Sequence, residues 1–330
     1  MNCAVVIVNW NGAADTLACL RSIFDGFNDV LAIVVDNGST DQSLECIASG
    51  LTAQGITFVR RDVLEDAGES PPDTQVLLVA AGENLGFAAG CNLGLRMAET
   101  MGSEYVCFLN NDTVVDGEAL DVIVRRLAAD PDCFATLPML TVYGTGRIWN
   151  CGGQIWPLGL RRYHLAGRAR HEGALHGEFR CSFFTGCCFA VRTSDFQSRG
   201  GFSERFFFGE EDFELALWMR ARGLYAVCVT NAVVQHKVSA SFEAASGSRA
   251  TARAFIYYLN RFIHMRLRFG LWRWRLWSAA YLPYVMLLLW RSGTVRASEL
   301  PLFVRRLLAR SRAMDRVTRA DFEAVMAGRL

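Results

Sequence analysis

The residues best suited to chemistry lie where apolar runs stop. Tyr105-Val106-Cys107-Phe108-Leu109 reads as a buried strand, and it ends at Asn110-Asn111-Asp112. In open α/β sheets ligands sit beyond the carboxyl ends of strands, so these side chains are placed to reach an ion or a phosphate. A carboxylate there suits Mg2+, which typically takes one or two carboxylates plus substrate phosphates. The competing role is a turn leading into a helix near residues 119–129. Two earlier apolar runs end in the same way, at Asn9-Trp10-Asn11-Gly12 and at Asp36-Asn37-Gly38-Ser39-Thr40-Asp41. A fourth cluster, Glu210-Glu211-Asp212, opens a helix whose N-terminus carries partial positive charge and favours ionised carboxylates. An ionised carboxylate near a pocket can act as a general base; simple capping is the alternative.

The elements that position these residues follow from periodicity. Cys3 to Val8 is a β-branched strand, followed by a helix with Leu17, Leu20 and Phe24 on one face. Leu31 to Val35 is the next buried strand, and Ser39 with Gln42 predicts a capping box for the helix after it. Two strand–helix units predict right-handed crossovers and a parallel sheet, with both polar loops on one edge. Ile56 to Val59 and Val76 to Ala80 read as further strands, separated by an acidic surface loop from Asp62 to Thr74. Asn84-Leu85-Gly86-Phe87 then leads through Asn92 into a helix, its small residues allowing close backbone approach to a ligand. Tyr143-Gly144-Thr145-Gly146 predicts a hairpin turn. Residues 151–176 read as a long loop over the ligand edge, with His164, His171 and His176 as solvated loop histidines lacking metal-site spacing. Phe183 to Val191 reads as a strand with Thr185-Gly186 at its centre, and Thr193 as the cap of a short turn. The helix from Glu211 runs to Arg222 and is closed by Gly223; strands follow at Tyr225 to Val229 and from Val233 to His236.

Composition limits the function classes. The 330 residues are 52% hydrophobic and 20% charged, enough for a sizeable core. A net charge of +1 gives no reason to expect nucleic acid. The 11 cysteines form no Cys-x-x-Cys pair and fall in apolar runs, the pattern of reduced, buried thiols in a cytosolic protein. No secretory signal is apparent at the start. The C-terminal part changes character: Arg interleaves with Phe, Tyr and Trp from Arg249 onward, and Leu276 to Trp290 is uncharged. That run is too short for a bilayer span and is interrupted by Pro283, which predicts an in-plane or partly inserted helix on a membrane surface. The alternatives are a helix packed on the main domain or one buried in a homo-oligomer.

Taken together, these stretches resemble the family 2 glycosyltransferases, particularly the bacterial rhamnosyltransferase-like group. The matching segments are Val5 to Gly12, Val34 to Asp41, Asn84 to Phe87, Phe108 to Asp112, Thr185-Gly186-Cys187, Phe206 to Asp212, and His236, in family order over roughly residues 3–265. The resemblance implies a GT-A fold, an α/β class with a mostly parallel sheet flanked by helices. A Rossmann-like nucleotide-sugar half (1–115) and an acceptor half (116–245) would form the domain 1–245, with residues 246–330 as a helical extension. It further implies that Asn9 and Asp36 hold the nucleoside and that Asn84 and Gly86 line the donor pocket. Asn11, Asn92 and Asn111 complete the donor-binding set. Asp112 coordinates Mg2+ or Mn2+ on the diphosphate, His236 completes that site, and Asp212 is the base for the acceptor hydroxyl with Glu211 beside it.

The implied reaction is inverting transfer of a sugar, with L-rhamnose from dTDP-rhamnose favoured over UDP-sugar or GDP-sugar donors. The acceptor would be a lipid-linked glycan or polysaccharide at the cytoplasmic face of the cell membrane. The chain departs from the family where Asp-x-Asp is frequent: Asn110-Asn111-Asp112 offers one carboxylate. That departure supports an alternative, a non-catalytic nucleotide-sugar sensor or scaffold. A nucleotidyltransferase ranks behind both, because the first strand ends in Asn-Trp-Asn-Gly and not in a Gly-rich, Arg-bearing loop.

Overall fold

The computed structural model describes residues 2–27, 30–63, 73–156, 158–170, 177–237 and 248–329. The chain divides into two compact units: Met1–Phe202 with Leu215–Val238, and Ser203–Glu214 with Ser239–Leu330.

The first unit begins with β1 (Cys3–Asn9), α1 (Ala13–Phe24), β2 (Leu31–Asp36), α2 (Ser43–Ala53), β3 (Phe58–Asp62), β4 (Val76–Ala80), α3 (Phe87–Thr100) and β5 (Tyr105–Asn110). It continues with β6 (Thr113–Val115), α4 (Ala119–Ala128), β7 (Cys133–Val142), β8 (Ile148–Asn150), β9 (Gly153–Ile155), β10 (Arg161–Tyr163), β11 (Glu178–Cys181), β12 (Cys188–Arg192) and α5 (Thr193–Ser198). Helix α6 (Glu211–Ala221) starts in the second unit and ends in the first, where β13 (Tyr225–His236) follows.

The main sheet has the order β11-β13-β7-β12-β5-β1-β2-β4-β3. Strands β3, β4, β2, β1 and β5 are mutually parallel, while β12 runs antiparallel to β5. Register aligns Asn9 with Asp36, Asp36 with Ala80, and Val8 with Asn110. The polar strand ends therefore share one edge, and the order reverses direction at β1, where such sheets bind ligands. The strand period of two explains the double core. Cys3, Val5 and Ile7 face one buried layer with Leu20, Ile23 and Leu120. Ala4 and Val6 face the other with Leu95, Phe108 and Met219.

Several expectations are revised. Ser39 does not cap α2: the flanking residue is Gln42 in the left-handed region, without a side-chain cap, because Ser39 is engaged by Asp36. Strand β3 runs to Asp62, three residues past the apolar run's Val59 end, as an edge strand bearing Arg60 and Arg61. Residues 151–170 are not featureless: β9 and β10 pair as an antiparallel ribbon. His164 is half-buried and stacks on Phe179, while His171 and His176 lie outside the described residues. Most of the Asp62 to Thr74 loop also lies outside them. Thr185-Gly186 precedes β12 and is not at its centre. Thr193 is the first residue of α5 and makes no cap hydrogen bond. Tyr225 to His236 is one strand carrying an irregularity between Val229 and Val233, so the apparent gap is a bulge. The hairpin turn at Tyr143–Gly146 joins β7 to β8 as expected.

The second unit contains α7 (Ser248–Phe269), α8 (Leu271–Arg291), α9 (Leu300–Ala313) and α10 (Arg319–Met326). Phe262, Trp277 and Tyr281 pack their rings between α7 and α8, and the Trp274 indole donates to the Phe262 carbonyl at 2.9 Å. Arg266 donates to the Ser311 and Met314 carbonyls, satisfying acceptors that the end of α9 leaves without an intrahelical partner. Pro283 does not interrupt α8; it sits on the exposed face, where the missing N–H leaves its carbonyl partner open to water. The segment Ser203–Glu214 is stitched to these helices. Phe206 pairs with Val317 through a β-bridge, Phe207 and Phe208 pack on Phe322, and Asn260 donates to the Phe208 carbonyl.

Candidate functional site

In the first unit, a buried amide organises the strand ends. Asn9, fully buried, donates to Asp36 Oδ1 at 2.8 Å and to Ser39 Oγ at 3.1 Å, and accepts from Thr16 Oγ1 at 2.8 Å. Ser39 gives Asp36 two more hydrogen bonds, from its hydroxyl and its backbone N–H. A carboxylate accepts about four hydrogen bonds, so Asp36 keeps capacity for one donor from a ligand. Asn11 clasps the same loop: its N–H donates to Ser39 Oγ and its Oδ1 accepts from the Thr40 N–H at 2.8 Å. Asn11 has φ +53, a left-handed conformation that Asn tolerates better than most residues.

Asn37 joins this loop to the next. Its amide donates to Asn84 Oδ1 and the Gly86 carbonyl, both at 3.2 Å, and accepts from the Leu85 N–H at 3.0 Å. Gly38, at φ +68, lies so close that an added Cβ would stand 2.3 Å from the Glu83 carbonyl carbon. Gly38→Ala should therefore push the two loops apart and lower the melting temperature; an unchanged thermal melt would mean that the loops can part without cost.

Asn111 leans over β1, donating to Thr16 Oγ1 at 3.2 Å and Asn9 Oδ1 at 3.5 Å. Asn92 is expected among the donor-binding residues, but the structure gives it a packing role. Its amide, 5% exposed, is hydrogen-bonded to the backbone N–H and carbonyl of Phe202.

Asp112 and His236 meet because β6 pairs with β13, setting Thr113 opposite His236. Asp112 Oδ1 and His236 Nε2 are 3.1 Å apart, with both side chains largely buried. The Lys237 N–H donates to the Asp112 carbonyl at 2.9 Å, and Trp149 packs 4.7 Å from the imidazole. His236 Nδ1 is buried with no partner among the described residues. Asp112 and His236 are the residues that could hold a cation. No group of three or more His, Cys, Asp or Glu side chains fit for a metal occurs among the described residues.

The second unit carries the acidic segment. Glu210, at φ +78 and with its side chain 1% exposed, accepts at Oε1 from Arg261 Nε at 2.8 Å and lies 3.1 Å from His264 Nδ1. Burial alone would raise its pKa, but Arg261 and His264 more than offset that and hold it below the ordinary carboxylate value. The Arg261 guanidinium also lies 3.2 Å over the Phe213 ring. Glu211 and Asp212 open α6. Burial of the Glu211 carboxyl, with the Asp212 carboxylate beside it, pushes its pKa up to about 8. The sequence places Glu210 in an acidic cluster read as general base or cap, with no pairing to Arg261 or His264. The signal was a Gly-Glu pair before a helix and one Arg inside an aromatic run.

A mostly parallel sheet that gathers Asn, Asp and an Asp–His pair beyond its strand ends defines an α/β protein of the GT-A class. A structure of GalNAc-T7 with UDP, GalNAc and Mn2+ superposes with a TM-score of 0.55 at 16% identity, covering 72% of this chain and 44% of that one. The mannosyltransferase PcManGT from Pyrobaculum calidifontis, in complex with GDP-Man and Mn2+, gives 0.53 at 16% identity, covering 99% and 86%. The chain belongs to glycosyl transferase family 2, matched over residues 4–200. It is also 32% identical over 161 residues to the O-antigen biosynthesis protein RfbC of Myxococcus xanthus. That match covers 44% of this chain but only 12% of RfbC.

Proposed function

We propose that the protein is an inverting glycosyltransferase of envelope polysaccharide assembly. It moves a sugar, L-rhamnose from dTDP-rhamnose as the first choice, to a hydroxyl of a lipid-linked or polysaccharide acceptor. The observation that carries this reading is the Asp112–His236 pair on the sheet edge that also bears Asn9 and Asp36. Likeness to RfbC supports a polysaccharide product, and the nucleotide-sugar complexes of the structural relatives support the donor class.

The residues present fit a divalent cation of the Mg2+ or Mn2+ kind. Asp112 and His236, with Oδ1 and Nε2 3.1 Å apart, would hold it, a carboxylate and an imidazole being suitable donors for such an ion. When bound, the ion would neutralise charge on the departing nucleoside diphosphate. The protein's own part is to hold the nucleoside against the Asn9–Asp36–Ser39 network and to remove the acceptor proton at Asp212. Glu211 stands beside that base. Displacement without a protein nucleophile inverts the anomeric centre.

Incubation with dTDP-rhamnose, UDP-sugars and GDP-sugars, with envelope glycans as acceptors, should release nucleoside diphosphate from one donor class. No release from any donor would sink the reading. Chelation should lower turnover at least ~100-fold, with Mg2+ or Mn2+ restoring it, if the cation carries leaving-group charge. Asp112→Asn should weaken that rescue, read as the metal concentration for half-activity.

A further inference from the structure

We propose that one face of α8 is a docking surface for an anionic lipid bilayer, with the helix lying in the plane of the membrane. The helix has 21 residues and is roughly 31 Å long. Its buried side is Trp274, Trp277, Ser278, Tyr281, Val285 and Leu289. The opposite side, Trp272, Leu276, Ala279, Pro283, Leu287 and Trp290, recurs every three or four residues and is exposed, the four largest side chains Trp272, Leu276, Leu287 and Trp290 at 69%, 58%, 46% and 57%. A contiguous apolar stripe of this kind on a water-facing helix marks an interaction site. A shallow apolar groove of about 500 Å3, formed by Pro283, Met286, Leu287, Trp290, Ala297 and Leu300, extends the stripe at its C-terminal end.

Charge decides the occupant. No Asp or Glu occurs between Glu243 and Glu299, while Arg268, Arg273, Arg275, Arg291 and Arg296 are all exposed on α8 or its flanks. A second copy of this chain on a two-fold axis would set arginine against arginine, which is repulsive. Anionic headgroups complement them, and Trp with Arg is the pairing favoured at the membrane–water interface. None of the described helices is long and apolar enough to cross a membrane, which leaves an in-plane position. The groove is then a seat for an acyl chain.

The full chain should float with vesicles containing about 30% phosphatidylglycerol, bind neutral phosphatidylcholine vesicles far less, and be released by about 0.5 M salt. A W272E/L287E variant should bind at least ~10-fold more weakly with an unchanged melting temperature, since both positions are exposed. An R273Q/R275Q/R291Q variant should lose on the order of 100-fold in partitioning to anionic vesicles only. Failure of the wild type to float, or flotation of both variants as complete as the wild type's, would overturn the proposal. So would a dimer in light scattering that W272E/L287E converts to monomer, because the stripe would then belong to a second copy. None of these outcomes depends on sugar transfer, so failure of the glycosyltransferase reading would be seen separately.

Discussion

Asp212→Asn should lower kcat by about 10^2- to 10^4-fold, the contribution of a positioned general base, while leaving donor affinity within about two-fold. The neighbouring carboxyl gives the control. Glu211 keeps its proton to about pH 8 because its carboxyl is buried beside the Asp212 charge. Gln is close in shape and charge to a protonated Glu, so Glu211→Gln should retain most activity at neutral pH. The two substitutions thus separate base from neighbour: equal losses, or loss at Glu211 alone, would reassign the base. Stability offers a second readout. Folding holds a proton on Glu211 that the unfolded chain releases near its ordinary value of 4.5. The stability so linked is fully present below about pH 4.5 and is lost as pH rises through about 8. Denaturant titrations across that window should show a shallower pH slope in Glu211→Gln.

Arg261→Ala should destabilise the helical unit by about 3–5 kcal/mol, the range for removing one partner of a buried ion pair. The reason is the charge left behind. Glu210 is as buried as Arg261, and among the described residues only His264 would remain within hydrogen-bonding distance of its Oε1. The loss also exposes the face of Phe213 that the guanidinium covers. Glu210→Gln combined with Arg261→Met should recover much of the stability, because a neutral pair avoids the uncompensated charge. Urea unfolding of the two single variants and the double variant measures the coupling. A single-variant loss below about 1 kcal/mol would mean that water reaches Glu210 and that the pair holds nothing in place.

Much of the sheet was legible because its strands are short apolar runs, rich in β-branched residues as in Cys3 to Val8, that end at polar residues. The bulged β13 was read as two strands, since Thr230-Asn231 breaks the pattern without breaking the pairing. The β9–β10 ribbon was missed because three-residue strands leave no periodicity. At the candidate site, Asn9, Asp36 and the Asp112–His236 pair sit on strand ends that local pattern reveals. Asn37 was read as part of a polar strand end and Ser39 as a helix cap. Their long-range partners, Asn84 for Asn37 and Asn9 for Ser39, come from segments that only the folded sheet brings near. Arg261 and His264 were hidden for the same reason, lying 51 and 54 residues from Glu210.

The stitching of Ser203–Glu214 to the last four helices has a consequence for recombination between relatives. A chimera that exchanges only the helices from Ser248 onward gives Glu210 and the Phe206-Phe207-Phe208 run foreign neighbours in place of Arg261, Val317 and Phe322. A chimera whose crossover points keep that twelve-residue stretch with its own helices preserves every one of those contacts. Inheritance of the acidic stretch is thereby tied to the end of the chain, although residues 215–238 come between them in the gene.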